Sequence, residues 1–490
     1  MSDCKSLPNV DILGRYRELI PEDEIPALED SVRRPPPTAV RFNPLKVDPR
    51  RIAEEFTQTR GWQLQPVSFC QDGFSLTASP EPPGRVLESR LGYFYIQDAA
   101  SMLPVESFEP PDTGKPLILD LTAAPGGKST HLAARFGDHG LLIANDGTAS
   151  RIPGLSSALK TWGAVNSAVT NVAGEKFGQW YPGTFDLVLL DAPCSMENLH
   201  TGGRHKREIK AAERHRLAVR QIQLLLSAIQ ACKPGGQVVY STCTLAPEED
   251  EAVLDAVLRQ TGNSIRLTDA GTRLGIRAPG LTAAFGQVFS PDVAKSMRLW
   301  PHRLGTSGFF CAHLRKEFSL EEKASTRISH PGMISRLEIL PRKDQTALCD
   351  QLINTYGFDL PGLLEEYELH LKIFRRSVYA LSRRLESDFP GLAFNSYGLR
   401  LGDYTESSFE ISLEWVTRFS GKIHLNRYSL NPEIAGHWAR GEDVPVETIL
   451  TGSRGTVMII TDRNDRVIGT GRISGRGIKN LLPRHLALKS

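Results

Sequence analysis

Between residues 108 and 316, short runs of apolar, β-branched residues alternate with segments whose apolar positions recur at helical spacing. The runs predict strands and the segments between them predict helices, because the two elements bury side chains with different periods. Strand–helix alternation of this kind is typical of an α/β domain with a doubly wound, mainly parallel sheet. The predicted strands are PLILDL, GLLIAND, SAVTN, FDLVLLD, GQVVYST and a late strand in SGFFCAHLRK. The predicted helices are KSTHLAARF, ASRIPGLSSALKTWG and a long helix over residues 207–232.

Before residue 108 the pattern is different, since prolines separate short apolar stretches such as TAVRFNP and GWQLQPVSF. The stretch DPRRIAEEFTQTR leaves room for one helix between them. Proline and glycine clusters mark turns, so residues 1–107 are predicted to form a small α+β domain.

After residue 316 the chain becomes polar and mixed, and residues 317–335 are predicted to be a linker. Residues 336–405 are predicted to be a helical and mixed subdomain, with a helical stretch over EYELHLKIFRRSVYALSRRLES (366–387). A strand is predicted at GLRLGD, near the end of that subdomain. Further strands are predicted at TVMIITD and VIGTGRI, so residues 406–490 are predicted to be β-rich.

Composition narrows the class of protein only slightly. The chain is 40% hydrophobic and 23% charged with a net charge of +2, as is usual for a globular protein of the cytoplasm. No apolar stretch approaches the roughly 18 residues of a membrane span, and the N-terminus lacks a signal pattern. The seven cysteines are scattered without a CxxC pair, and no histidine stands at ligand spacing from them. We therefore predict a cytoplasmic protein with reduced thiols and no metal, and no segment indicates an obligate protein partner.

A glycine-containing loop follows the first strand of the α/β region, in LILDLTAAPGGKSTHLA (117–133). Ligands of open α/β sheets bind beyond the carboxyl ends of the strands, where small residues let a cofactor approach the backbone. Gly126 and Gly127 supply that clearance, and the next helix offers free N–H groups. Thr122 stands where a phosphate-binding P-loop requires glycine, which excludes that motif. Asp146, after the next strand, is placed to accept from ribose hydroxyls. An ordinary strand–helix turn is the alternative.

Two cysteines follow two of the predicted strands. FDLVLLDAPCS delivers Asp191 and Cys194 to the end of one strand, and VVYSTC delivers Cys243 to the end of another. Both ends belong to the same edge of the sheet as the glycine loop. Burial in the core is the alternative for either thiol, because free cysteine is among the most buried residue types.

Two stretches are rich in basic residues. Residues 202–220 hold seven Arg or Lys against two Glu, and residues 463–489 hold seven against one Asp. Basic patches beside a site are typical of binding to a phosphate backbone. A solvated surface is the alternative for both.

Three motifs together resemble the Sun-type RNA (cytosine-5) methyltransferases. They are LDLTAAPGGKSTHLA, DAPCS and YSTCTLAPEEDEAVL. The flanking segments VRFNPLK, GYFYIQDAASMLP and RLWPHRLGTSGFFCAHLRK are also similar to the family, so the resemblance covers residues 38–316. In the tail, YGLRLGD and VIGTGRISGRGIKNLLPRHLAL resemble the bacterial 16S ribosomal RNA branch, which ends in a PUA-like RNA-binding region.

The resemblance implies a Rossmann-like methyltransferase domain over 108–316, an RRM-like RNA-binding domain over 1–107 and a PUA-like domain over 406–490. It implies S-adenosyl-L-methionine as cofactor and RNA as partner: ribosomal RNA or the small ribosomal subunit, with transfer RNA as the alternative. It implies that Cys243 is the nucleophile, that Cys194 helps to release the product, and that Asp191 faces the cytosine and the cofactor. The cofactor-binding residues that it implies are Thr122, Ala123, Ala124, Pro125, Gly126, Gly127, Lys128, Asp146 and Asp191.

Two departures from the family pattern affect this site. Met196 stands where the family usually has glycine, and Ala173 stands where members commonly have the aspartate that contacts adenine. A catalytically impaired RNA-binding assembly factor is therefore one alternative function. A DNA-type cytosine methyltransferase, in which Cys194 rather than Cys243 is the nucleophile, is another.

Overall fold

The computed structural model describes residues 13–199, 209–319, 337–405, 408–445, 454–475 and 477–488. Most of the predicted linker, residues 320–335, therefore lies outside the described residues, as do residues 202–208 of the first basic stretch. None of the helices in the described ranges has the length and apolar character needed to cross a membrane.

The first region contains an antiparallel sheet of order β2-β3-β1-β4. Its strands are β1 (Thr38–Phe42), β2 (Gln63–Val67), β3 (Cys70–Ala78) and β4 (Phe94–Gln97). Its helices are α1 (Ile25–Arg33), α2 (Pro49–Arg60), α3 (Leu87–Arg90) and α4 (Leu103–Glu106). Helix α2 begins where Asp48 accepts from the N–H groups of Arg50 and Arg51, and it ends at Gly61, whose φ of 68° suits glycine. The predicted helix between short strands is thus present.

The second region contains the central sheet. Its strands are β5 (Leu117–Asp120), β6 (Leu141–Asn145), β7 (Ser167–Thr170), β8 (Phe185–Asp191), β9 (Cys232–Thr242), β10 (Ile265–Thr268), β11 (Ala283–Ala284), β12 (Gln287–Val288), β13 (Met297–Leu299) and β14 (Phe309–Lys316). Its helices are α5 (Gly127–Arg135), α6 (Ile152–Trp162), α7 (Phe177–Trp180), α8 (Ala211–Ala231), α9 (Glu251–Thr261), α10 (Ala270–Leu274) and α11 (Pro301–Leu304).

The central sheet has the order β10-β14-β9-β8-β5-β6-β7, in which β9, β8, β5, β6 and β7 are parallel. Every residue of β5, β6 and β7 is buried, because helices cover both faces of a parallel sheet. The predicted doubly wound α/β fold is confirmed. The chain moves outward on one side from β5 to β7 and on the other from β8 to β9, so the β5–β8 boundary is the topological switch point.

The third region contains two further sheets. Its strands are β15 (Glu338–Ile339), β16 (Leu369–Phe374), β17 (Ser377–Ser382), β18 (Ser396–Tyr397), β19 (Leu399–Tyr404), β20 (Phe409–Ile411), β21 (Arg427–Ser429), β22 (Val457–Thr461), β23 (Val467–Ser474) and β24 (Gly477–Asn480). Its helices are α12 (Arg342–Tyr356), α13 (Leu360–Glu366), α14 (Arg384–Asp388), α15 (Leu413–Arg418) and α16 (Pro432–Ala439). The sheet orders are β15-β16-β17-β19-β20 and β21-β22-β23-β24.

The helical prediction for residues 366–387 is wrong. The stretch forms the antiparallel hairpin β16–β17, and its helical residues are Glu366, which ends α13, and those of α14 at its other end. Leu369 and Leu371 on one strand and Val378 and Ala380 on the other are buried at a period of two, which fits a strand better than a helix. Arg375 makes the turn with a φ of 56°.

The three regions pack on one another. Strand β18 pairs with the edge strand β7, and Phe389 stacks on Phe185 of the central core with ring centroids 5.7 Å apart. The last sheet shares one buried cluster with the first: the Tyr93 hydroxyl donates to the carbonyl of Val467 at 2.8 Å. The β-rich tail is therefore built onto the N-terminal sheet.

Candidate functional site

Two thiols meet at the carboxyl edge of the central sheet. Strands β8 and β9 are parallel neighbours with Asp191 opposite Ser241, so the residues that follow them are also neighbours. Cys194 Sγ and Cys243 Sγ lie 3.3 Å apart. Both side chains are half-buried, whereas the thiols of Cys70, Cys232 and Cys311 are buried. The structure brings the two candidate cysteines together and sets them apart from the core cysteines.

The hydrogen bond between the thiols separates their roles. It raises the pKa of Cys194 well above the usual range of a thiol, and burial raises it further. Cys194 is therefore protonated at neutral pH and can donate to the sulfur of Cys243.

Asp191 links the cysteine side of the site to the glycine loop. Its carboxylate accepts from Lys128 Nζ at 2.7 Å and from the Ser241 hydroxyl at 2.8 Å. Its carbonyl accepts from the Thr122 hydroxyl at 2.8 Å. Burial lowers the pKa of Lys128, but neighbouring Asp191 outweighs this and the net shift is upward. The loop thus carries a charged ammonium held at one place beside the two thiols.

The loop itself shows why glycine is needed there. Gly126 has a φ of 112° and caps the start of α5. A Cβ on Gly127 would lie 3.1 Å from Cε1 of Tyr95, a side chain of the N-terminal sheet. The buried Arg41 of β1 donates to the carbonyl of Gly127 at 3.1 Å and to the Thr130 hydroxyl at 2.9 Å. The first sheet is therefore fastened directly to the loop.

Asp146 lies at the end of β6, as the sequence predicts. Its buried carboxylate accepts from the N–H groups of Ala124 at 3.2 Å and Thr148 at 2.8 Å. Arg151 Nη1 lies 3.2 Å from the same carboxylate. Ionised carboxylates offer about four lone-pair positions, so these contacts leave acceptor capacity. Ala173 is exposed, at the start of a 3₁₀ turn after β7.

A cavity of about 260 Å³ lies between the loop and Asp191. It is lined by all the implied cofactor residues except Gly126 and Asp146, and also by Tyr95, Ile96, Gln97, Ser101 and Asp120. We did not predict these five. For the first four the available signal is the segment GYFYIQDAASMLP, which places polar side chains directly after an apolar strand, and Asp120 is the charged residue that ends β5.

Two polar side chains of this cavity have unused hydrogen-bonding groups. The Oδ1 atom of Asp120 and both amide atoms of Gln97 are buried and have no partner in the described part of the chain. The other oxygen of Asp120 accepts from the Ser129 hydroxyl at 2.6 Å. Burial raises the pKa of Asp120 to about 7.

The loop that carries Cys194 is held by Glu249, from the segment that follows Cys243. Glu249 Oε2 accepts from the Ser195 N–H and from the Gln221 side-chain amide, both at 2.9 Å. The same amide nitrogen lies 2.9 Å from the carbonyl of Pro193. Burial raises the pKa of Glu249. This network, which sequence reasoning missed, ties the positions of the two thiols to each other.

Residues 13–33 form an arm that covers both cysteine loops. The buried cluster consists of Tyr16, Ile20, Leu28, Leu199, Leu245 and Trp300. Arg15 Nη2 lies 2.7 Å from Glu248, and the N–H of Leu245 donates to the carbonyl of Glu197 at 3.1 Å. The arm therefore buttresses the loop after Cys194 and the loop after Cys243 together.

Met196 keeps the backbone conformation that a glycine would favour there. Its φ is 62°, in the left-handed region, and its side chain is 43% exposed. A methionine in this conformation strains the backbone of the Cys194 loop, where glycine would not.

Among the described residues of the first basic stretch, some basic side chains are exposed and one is buried. Arg214 is buried and forms two 2.6 Å contacts with the Glu197 carboxylate, which stabilises the loop after Cys194. The described basic residues of the stretch that are exposed are Lys210, Arg216 and Arg220.

The second basic stretch is likewise divided. Arg466 lies 2.6 Å from Asp462 and 2.8 Å from Glu55 of α2, and Arg472 lies 2.6 Å from Glu410. The exposed basic residues of this stretch within the described ranges are Arg463, Lys479 and Arg484.

One further cluster, outside the site, has the residue types of a metal centre: Cys70, Glu106 and His131. His131 Nε2 lies 3.1 Å from Glu106 and 3.9 Å from the sulfur of Cys70. Arg135 pairs with Glu106, and Arg41 acts on both other members, so two guanidinium groups oppose a dication there. We interpret the cluster as a buried hydrogen-bonded network.

Comparison with known families places this site in context. Residues 107–315 match the family model of 16S rRNA methyltransferase RsmB/F, and residues 7–99 match that of the N-terminal domain of 16S rRNA methyltransferase RsmF. The chain is 32% identical over 465 residues to ribosomal RNA small subunit methyltransferase F of Aeromonas hydrophila, covering 93% of this chain and 92% of the relative. It is 32% identical over 504 residues to the protein of the same name from Pectobacterium atrosepticum, covering 98% and 96%.

Solved structures agree on the fold. A methyltransferase homologue from Pyrococcus horikoshii is 29% identical with a TM-score of 0.55, and the match covers 62% of this chain and 93% of that one. NSun6 from the same organism is 21% identical with a TM-score of 0.52, covering 62% and 97%.

Proposed function

This chain belongs to the 16S rRNA methyltransferase RsmB/F family, and we propose that it methylates carbon 5 of a cytosine in 16S ribosomal RNA with S-adenosylmethionine as methyl donor. The observation that carries the proposal is the pair of thiols, Cys194 and Cys243, 3.3 Å apart beside the Asp191–Lys128 ion pair. The names of the relatives favour ribosomal RNA over the transfer RNA alternative. We place this reaction in the cytoplasm, with ribosomal RNA as the partner.

Cys243 supplies the nucleophile that carbon 5 of cytosine needs, because that carbon alone is too weak a nucleophile to accept a methyl group. The Cys243 thiolate adds to carbon 6, and the electron pair of the 5,6 double bond shifts to carbon 5. Asp191 and Lys128 offer an acceptor and a donor to the polar atoms of the ring and stabilise the charge that develops there. S-adenosylmethionine, when bound, supplies an electrophilic methyl group to the activated carbon.

Cys194 acts second because its acidity depends on Cys243. The hydrogen bond to Cys243 is the largest cause of its raised pKa, and that contact changes once the Cys243 sulfur is bonded to carbon 6. Cys194 gives its proton to water and, as a thiolate, removes the proton from carbon 5. The electron pair of that C–H bond rebuilds the double bond, and Cys243 leaves carbon 6 as a thiolate.

The residues of the loop fit this cofactor. Gly126 and Gly127 let a ligand approach the backbone, and Asp146 stands where a ribose hydroxyl can donate to it. The Asp120 carboxylate, with its unused Oδ1, suits a ligand that carries positive charge and N–H donors. Thr122 and Lys128 hold Asp191 in place at the cysteine end.

We assign the remaining RNA contacts to residues 1–107 and 406–490, interpreted as the RRM-like and PUA-like regions. Support comes from their shared buried core, which joins them into one surface beside the central sheet. The exposed Arg463, Lys479 and Arg484 add positive charge that a phosphate backbone would attract.

The test is methyl transfer to defined RNA. We expect purified protein to incorporate label from methyl-labelled S-adenosylmethionine into 16S ribosomal RNA or small subunits, and bisulfite mapping to locate the product at one cytosine. Cys349→Ala, which removes a half-buried thiol of α12, is the matched control for cysteine variants and should keep full activity. Label in a different base, or transfer to transfer RNA alone, would overturn the proposal.

A further inference from the structure

Gln97 ends β4 of the N-terminal sheet, yet its side chain lines the cavity beside the glycine loop. A Cβ built on Gly127 would lie 3.4 Å from Gln97 Oε1, so the amide faces the space that the missing side chain of Gly127 leaves open. The next residue, Asp98, accepts from the N–H of Ala100 at 2.8 Å and from the Ser307 hydroxyl. These contacts of Asp98 anchor the backbone next to Gln97 to the central domain.

The Gln97 amide has unused capacity of both kinds. Nε2 and Oε1 are each buried, and neither has a hydrogen-bond partner within the described ranges. Buried polar atoms are nearly always paired, so such atoms in a cavity indicate a ligand with both donors and acceptors. Asp120 Oδ1, in the same cavity and at the fully buried end of β5, is also unpaired within the described ranges.

The sheet order indicates which part of a cofactor reaches this cavity. Asp146, at the end of β6, marks the ribose position under the proposed function, and the thiols lie beyond β8 and β9 on the other side of β5. An extended ligand with its ribose at β6 and its reactive centre toward the thiols places its far end over β5 and β8. Those are the strand ends at the cavity, where Asp120 and Asp191 lie.

The far end of S-adenosylmethionine is an α-amino acid, with an ammonium donor and a carboxylate acceptor. A side-chain amide matches this pair, since it offers one acceptor oxygen and two N–H donors. Lys128 Nζ, a cation that also lines the cavity, already forms an ion pair with Asp191 at 2.7 Å. We propose that Gln97 binds the amino-acid end of S-adenosylmethionine, so that the N-terminal sheet contributes a cofactor contact from outside the methyltransferase fold. This inference rests on the proposed function.

A pair of ligands tests the contact without turnover. S-adenosylhomocysteine carries the amino-acid end, whereas 5′-methylthioadenosine has the same adenosine and sulfur without it. In calorimetric titrations of the full-length protein, Gln97→Ala should weaken binding of S-adenosylhomocysteine about 10- to 100-fold, as expected for a lost hydrogen bond to a charged group. Binding of 5′-methylthioadenosine should change less than about 2-fold.

The unchanged second ligand also shows that the variant is folded around the adenosine. Gln63→Ala, which truncates an exposed glutamine of β2 outside the cavity lining, is the matched control and should leave the ratio of the two dissociation constants as in wild type. Equal losses for both ligands, or no loss for either, would overturn the contact. Unchanged binding of both ligands with a raised KM for RNA would assign Gln97 to the base instead. Wild-type protein that binds neither ligand would overturn the proposed function itself.

Discussion

The two halves of the site are built in different ways. The cofactor half is local: residues 122–128 form one strand–helix turn, and Asp146 follows the next strand along the chain. The cysteine half is assembled from distant segments, because Cys194 and Cys243 are 49 residues apart and lie together only through the β8–β9 pairing. Glu249 and the arm of residues 13–33 then hold the two loops. The cofactor-binding loop can therefore be inferred from neighbouring residues in the sequence, whereas the distance between the two thiols depends on how distant segments pack.

The variant with the largest expected effect removes the nucleophile of the cysteine half and leaves the cofactor half intact. Cys243→Ala should lower methyl transfer by at least about 1,000-fold, as for removal of a catalytic nucleophile. The dissociation constant for S-adenosylhomocysteine should stay within about 2-fold of wild type, because the thiol acts on the base. Single-turnover transfer and calorimetry measure the two quantities, with Cys349→Ala as control. Turnover close to wild type would remove Cys243 from the role.

The next variant separates the two thiols. Cys194→Ala should allow addition by Cys243 and one round of methylation, but release of the adduct should slow by about 100-fold or more, as expected for a lost acid–base group. A nuclease-sensitive band, shifted by the mass of bound RNA under denaturing conditions, reports the trapped product. The double variant with Cys243→Ala should lack this band. A trapped complex in Cys243→Ala alone would instead assign Cys194 as the nucleophile.

The third variant breaks the cofactor half alone. Asp146→Ala should weaken S-adenosylhomocysteine binding by about 1–3 kcal/mol, through loss of a hydrogen bond to a charged group. When Asp146→Ala is combined with Cys194→Ala, the covalent RNA complex should still be trapped at saturating cofactor, because the thiols lie beyond β8 and β9. Asp292→Ala, at an exposed carboxylate of another loop, is the control. An unchanged dissociation constant would count against Asp146 as a ligand.

A fourth variant sharpens the claim that packing holds the thiols. Glu249→Ala leaves the Ser195 N–H and the Gln221 amide without their acceptor, which should destabilise the fold by about 1–3 kcal/mol. Adduct should accumulate because Cys194 is no longer held beside Cys243, while cofactor affinity is kept. The control is Glu248→Ala, which removes only the part-exposed pair with Arg15. Denaturant unfolding and the shifted band measure both effects, and equal accumulation in the control would contradict the role.

The smallest effect concerns the strained turn after Cys194. Met196→Gly should raise the free energy of unfolding by about 0.5–1 kcal/mol, because glycine adopts the left-handed conformation without a Cβ clash. Met196→Ala keeps the Cβ and should show no gain. Release of the adduct should match wild type if the turn already has its functional direction. Chemical denaturation of the three proteins compares the stabilities, and equal values would show that Met196 is unstrained.

Local patterns alone determined much of this protein. Strands β5, β6 and β7 are continuous buried runs, and the turn at Gly126 and Gly127 follows from their missing Cβ atoms, so both could be predicted from neighbouring residues. The same local reasoning failed at residues 366–387, where apolar spacing was assigned to a helix although burial at a period of two belongs to the hairpin β16–β17.

Tertiary structure decided the rest. Gln97 and Arg41 reach the glycine loop from a different sheet. The polar residues after β4 mark Gln97 as a candidate site residue, but the local sequence does not say which loop it meets. The tail could be predicted to be β-rich, but its attachment to the N-terminal sheet through Tyr93 and Val467 could not. The physical reason is range: backbone conformation depends on nearby residues, whereas the choice of neighbour depends on which apolar surfaces the whole chain can bury together.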